Sequence, residues 1–255
     1  MWIPKRLGFV LIAALLTLSG NGSPAQAAES LTVLTPASTA PGLQALAAKF
    51  TAQTRIPVTV AGGSRSQTFA VLKAGGPADV VILPTSDFIT LPTVTGMTPL
   101  GHIAVGVAVK PGAKVPDVST PEKFRSVLLA SKGVAYADPA AGTSAGAVID
   151  RMLSTPDFKG VKRVPVQGLA VTGLASGRAD IALQMLPELM NNKDVALAGP
   201  VPEVYGASVD FAGGIAAAST DAVNAQAFLS FITSAAAVPV WKAHGVTQLG
   251  ITPQP

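Results

Sequence analysis

The chain has 255 residues, no cysteine and two histidines, His102 and His244. Disulfides, thiol catalysis and a lipid anchor on a leader cysteine are thereby excluded, and a multi-histidine metal site is not expected. The formal charge of +4 reflects 18 Lys and Arg against 14 Asp and Glu, but without clusters of basic residues interleaved with aromatics it gives no nucleic-acid footprint.

Two of the basic residues, Lys5 and Arg6, precede an apolar run over 7–18, and small and polar residues follow up to Ala25-Gln26-Ala27. A basic start, a short apolar stretch and an A-x-A site read as a secretory signal peptide over 1–27, cleaved after Ala27. The apolar run is shorter than the roughly 20 residues that a membrane span needs. Export to a periplasm is therefore expected, with no membrane insertion of the mature chain. Residues 28–255 then carry 16 basic against 14 acidic side chains. Aromatics are few, which argues against a stacking site for sugars or bases. A chain of this length buries its own core and suits one large or two small domains.

Apolar β-branched runs alternate with helical patterns along the chain. Residues 31–34 (LTVL) read as a strand. Residues 41–53 read as a helix, with Leu43, Leu46, Ala47 and Phe50 on one face. A strand at 57–61, a helix at 66–74 and a buried strand at 79–83 (DVVIL) complete a β-α-β-α-β series, which predicts a parallel sheet covered by helices. Such sheets bind ligands outside the carboxyl ends of their strands. The loops at that edge bring Ser38 and Thr39, then Ser64, Arg65, Ser66 and Gln67, then Thr85 and Ser86. The 64–67 set opens a helix, where unpaired N–H groups and a partial positive charge attract anions. The same residue types also serve as helix caps.

Residues 102–110 (HIAVGVAVK) read as a long strand, followed by a Pro-Gly turn. A second round then starts: a helix at 121–130, with Thr120 as cap and Pro121 at its first position; a strand at 133–137; a helix at 145–153; a strand at 163–166; a short helix at 171–176; and a strand at 181–185. The loop before the 145–153 helix again carries donors, Thr143 and Ser144. Recurrence of the arrangement in both halves favours a ligand cleft over two unrelated caps. A strand at 211–218 and helices at 221–233 and 237–244 have no third α/β unit to join, so the chain is expected to return to its first half. The expected lobes are 28–107 plus 210–255, and 108–209, joined by two strands near 102–110 and 208–216.

The segments TPASTAPGLQAL, KFTAQTRIPVTV, LKAGGPADVVIL, AYADPAAGTSAG, GLASGRADIAL and AQAFLSFITSAAAVPVWKAHG together resemble the type 2 periplasmic binding proteins. The likeness is to the molybdate-binding subunits of ABC transporters and their organic-acid relatives. It implies two Rossmann-like α/β lobes with mixed sheets, a two-strand hinge, no cofactor, and delivery of a small anion to an ABC transporter permease. It also implies that Ser38 and Ser64 face the Thr143-Ser144 loop and Gln184 across the cleft. Arg65 departs from the uncharged molybdate pattern. A guanidinium forks onto a carboxylate, so an organic di- or tricarboxylate is expected in preference to molybdate. One branch, the aconitate isomerases, is enzymatic and needs a base beside an acidic C–H. Glu188 and His102 are the residues that stand in reach of such a role. A surface position after Pro187 and a structural histidine are the plainer readings of the two. No Ser/His/Asp order and no lysine-bearing phosphate loop occurs.

Overall fold

The first strand, β1 (Leu31–Pro36), alternates its side chains between two helical layers. Val33 belongs to one apolar cluster and Leu34 to another. The computed structural model describes residues 30–190 and 192–248; the expected leader lies outside them. After β1 come α1 (Ala40–Thr54), β2 (Val58–Gly63), α2 (Arg65–Lys73), β3 (Val80–Pro84), the single-turn α3 (Thr85–Phe88) and the 16-residue β4 (Val94–Val109). β1 pairs in parallel with β2 and β3, and all five β3 residues are buried, as its unbroken apolar run requires. Leu43, Leu46, Ala47 and Phe50 form the buried face of α1.

The second unit comprises α4 (Pro121–Ala130), β5 (Val134–Ala137), α5 (Ser144–Leu153), β6 (Arg163–Val166), α6 (Val171–Ala175), β7 (Ile181–Met185), α7 (Leu186–Met190) and β8 (Ala196–Pro200). β5 pairs in parallel with β6 and β7. The chain then returns through β9 (Ser208–Ala216), α8 (Ala222–Ile232), α9 (Val238–Ala243) and β10 (Thr247–Gln248).

β4 is longer than its sequence suggests. Val94–Gly101 carries Gly96, Pro99 and Gly101, which hide the strand pattern, and irregularities in the ladder with β9 absorb them. Its first part lies between β9 and β10, giving the order β2-β1-β3-β9-β4-β10. From Val105 onward β4 pairs instead with β7 and β8, so the second sheet runs β8-β4-β7-β5-β6. β9 ends its ladder at Ala104 opposite Ser208, and Val105 N–H donates to Ala207 C=O at 2.8 Å. Two neighbouring strands therefore carry the chain between the sheets.

Each sheet has its own aromatic packing. Phe50 meets Phe228 edge-on at 5.2 Å, beside Leu229, Ile232 and Trp241. A Cβ at Gly42 would come within 2.7 Å of the Trp241 ring, so the glycine lets α1 approach α9. In the second unit Phe124 meets Phe158 edge-on at 5.7 Å and Tyr205 closes the cluster. Each fully buried Leu or Phe contributes about 1.5–3 kcal/mol of transfer free energy. Among the described residues no single helix is long and apolar enough to cross a membrane.

Candidate functional site

The carboxyl ends of β1, β2 and β3 face those of β5 and β7 across a cleft of about 380 Å³. Three helix starts, those of α1, α2 and α5, adjoin it. Ser38 from the β1–α1 loop, the Ser64-Arg65-Ser66 run, Thr143, Ser144, Gln184 and Glu188 all line its wall. Leu169, Leu183, Met185 and Phe211 add an apolar lining.

Ser64 is at once a cap and a wall residue. Its Oγ accepts from Gln67 N–H at 3.2 Å, and Gln67 Oε1 accepts from Ser64 N–H at 2.8 Å. This capping box fixes the loop so that Ser64, Arg65 and Ser66 present themselves at the start of α2. Ser64 and Ser66 share a hydroxyl–hydroxyl bond of 3.0 Å. Thr143 repeats the device on α5, accepting from Gly146 N–H at 3.1 Å. Among the described residues the hydroxyls of Ser38 and Ser144 have no protein partner, so both are open to a ligand.

Arg65 is oriented by Asp87, which is almost fully buried and accepts from Nε at 2.8 Å. The guanidinium also lies 4.4 Å from the centre of the Phe69 ring. The Asp87 hydrogen bond raises the Arg65 pKa, so the group stays a cation. Among the described residues neither Nη has a protein partner. An arginine held by Nε and stacked on one face keeps its Nη groups for a bidentate acceptor. It is the single cation among the described residues that line the cleft.

Gln184 and Glu188 form the opposite wall. Gln184 is buried on β7, where its Oε1 accepts from Ala170 N–H and its Nε2 donates to Glu188 Oε2, each at 2.7 Å. Its oxygen and one of its two N–H groups are thus engaged within the protein, which ties Glu188 to the strand. Burial raises the Glu188 pKa, and the Gln184 bond partly opposes the rise.

The remaining expected residues lie elsewhere. Thr39 is fully buried; its hydroxyl donates to Pro36 C=O at 3.0 Å and bonds Thr35 Oγ1, so it ties the β1–α1 turn together and is not a wall residue. Gln67 serves the capping box. Thr85 and Ser86 form α3 behind Pro84, which alone of that loop reaches the cleft. His102 lines a different and larger cleft of about 730 Å³, together with Asp117, Glu203, Asp210 and Thr247. That cleft abuts β4, β8 and β10, away from the carboxyl ends of the parallel strands. His102 is therefore withdrawn as a base for a ligand held at the helix starts. Asp87 and Phe211 escaped the sequence reading as site residues: one is 22 positions from its arginine, and the other lies inside β9, a strand far along the chain from the rest of its wall.

A family model described as bacterial extracellular solute-binding protein matches residues 31–247. The chain belongs to that family. The match spans both sheets and all the lining residues of the cleft. The solute-binding protein is 26% identical to an aconitate isomerase of a Pseudomonas species over 98% of both chains. In structure it is similar to the substrate-binding domain ascribed to a molybdenum ABC transporter of Clostridium difficile. There the TM-score is 0.71 at 16% identity, over 86% of this chain and 99% of that one. It is also similar to the periplasmic molybdate-binding protein of Azotobacter vinelandii, with a TM-score of 0.66 at 20% identity over 88% and 100% of the two chains. These likenesses establish the type 2 periplasmic binding protein fold.

Proposed function

We propose that the protein captures a small organic di- or tricarboxylate in the cleft between its lobes and hands it to an ABC-type transporter. The observation that carries this reading is Arg65, a cleft-wall residue at a helix start that Asp87 holds through Nε, which leaves both Nη groups without a partner among the described residues. Ser38, Ser64, Ser66, Thr143 and Ser144 supply neutral donors around it. The lobes, 28–107 with 210–255 and 108–209, would close about β4 and β9, a hinge of two strands. The leader expected at 1–27 accords with an extracellular family. A thermal-shift screen of citrate, both aconitates, molybdate and sulfate tests the reading. A ligand at 100 times its Kd stabilises the native state by about 2.7 kcal/mol. At least one carboxylate should raise Tm well above either inorganic anion; a rise with molybdate alone would refute the preference.

A second reading is favoured by one observation, the desolvated carboxyl of Glu188 on the cleft wall. In its ionised form Glu188 would remove a proton from the acidic C–H of a bound tricarboxylate and return it to another carbon as the double bond shifts. Arg65 and the helix starts would stabilise the charge that develops. The Pseudomonas relative is named for that activity. Incubation with trans-aconitate and chromatography for the cis isomer decides it. Conversion above the protein-free rate, abolished by Glu188→Gln, is the result this reading requires; none above that rate removes it.

A further inference from the structure

An anion cleft with an unsalted carboxyl in its wall poses an electrostatic problem. Glu188 has one oxygen bound: Oε2 accepts from Gln184 Nε2. The Gln184 amide cannot turn over, because its Oε1 is fixed on the Ala170 N–H. Nε2 must therefore always donate, and Oε2 must always accept. Oε1 has no protein partner among the described residues, and Glu188 is a half-buried residue of the cleft wall. A carboxylate ligand arriving there would place two negative oxygens side by side in a partly dehydrated space.

The charged groups around Glu188 do not relieve this. α7 packs on β4, β7 and β8. β7 and β8 carry no titratable side chain, and the single one on β4 is His102, which lines the other cleft. Gly245 packs against Pro187 and Met190 at the back of α7, with His244 beside it in the chain. Across the cleft stands Arg65, whose Nε is engaged by Asp87. None of these forms an ion pair with Glu188.

We propose that the protein binds its carboxylate ligand with one shared proton on Glu188 Oε1, and that Gln184 is the positioning residue that fixes this oxygen as the proton carrier. The inference rests on the carboxylate-binding reading. The proton comes from solvent or from the ligand. It sits between Oε1 and a ligand oxygen, while Oε2 continues to accept from Gln184. Sharing is strongest between groups of similar basicity. Another carboxylate matches Glu188 in this respect, whereas sulfate, a far weaker base, does not. The wall thus favours organic acids over sulfate-like anions at a point other than Arg65. The burial that raises the Glu188 pKa acts in the same direction.

Titration calorimetry of the whole protein with trans-aconitate, at pH 5–8 in two buffers of different ionisation heat, counts the protons. At pH values above the pKa of Glu188 in the free protein, the wild type should take up close to one more proton per ligand than Glu188→Gln. Its affinity should fall about tenfold per pH unit above the Glu188 pKa relative to the variant, as linkage to a single proton requires. Glu188→Gln keeps an oxygen for Gln184, and its melting curve reports whether it folds; the buffer dependence of the wild type alone gives the count in any case. Gln184→Leu should move the midpoint of the pH dependence upward, because the bond that lowers the Glu188 pKa is lost. An equal proton count in wild type and Glu188→Gln would overturn the shared proton while leaving the binding reading intact. No binding of trans-aconitate or citrate at any pH would overturn both.

Discussion

At the level of single residues, the site is governed by two ionisable groups on facing walls. Arg65 is aimed by a buried aspartate, and Glu188 is held through an amide that cannot flip. The native pKa of Glu188 lies above that of a free glutamate, so the folded state binds its proton more tightly than the unfolded chain. Below about pH 4.3 both states are protonated and the group has no effect on stability. As pH rises through the raised pKa, the unfolded state ionises first and stability falls. Glu188→Gln should therefore be more stable than the wild type at pH 7, with the gap closing at pH 4; denaturant melts at the two values check it, and a gap that widens on acidification contradicts it. Arg65 and Ser64 stood out in the sequence because loop donors before a helix have few other uses. Thr39 has the same chemistry as Ser38, one position away, yet it faces inward. Nothing local distinguishes the two, since the turn to Pro36 C=O decides which hydroxyl is consumed.

At the level of elements, helix starts do double duty as caps and as cleft walls. The Ser64–Gln67 capping box is the clearest case, and its removal should be felt in both roles. Ser64→Ala should destabilise the protein by about 1 kcal/mol, the typical cost of a lost N-cap, and also weaken ligand binding. Chemical denaturation and a binding titration of the same variant separate the two effects; unchanged affinity with reduced stability would make Ser64 a cap alone. Elements with clean periodicity were legible: α1 through its Leu43–Leu46–Phe50 face, and β3 through its unbroken apolar run. The first half of β4 and the whole of β8 were not, because glycine and proline interrupt them and the ladder tolerates both at irregular or edge positions. α7 was also hidden: five residues are too few to show a period. The four-residue spacing of Gln184 and Glu188 was visible all the same; their hydrogen bond was not.

At the level of the whole molecule, the fold places two β-α-β-α-β units so that their strand ends oppose each other across a shared cleft. Alternation of elements made the α/β class legible, and the unpaired closing helices made the return to the first sheet legible. The position of the change-over on β4 depends on which neighbour each residue finds, which is a long-range property and is absent from local pattern. The second cleft, beside β4, β8 and β10, had no sequence signature at all, since its lining comes from five separate stretches of chain. The central claim, that a small organic carboxylate sits on Arg65 in the first cleft, is tested most directly by calorimetric titration of wild type and Arg65→Ala with trans-aconitate, citrate and molybdate. Charge-assisted hydrogen bonds of about 1.5–3 kcal/mol predict that Arg65→Ala weakens the bound carboxylate by about 10- to 150-fold, with a smaller loss for molybdate. Equal losses for both anions, or molybdate as the tightest ligand of the wild type, would contradict it.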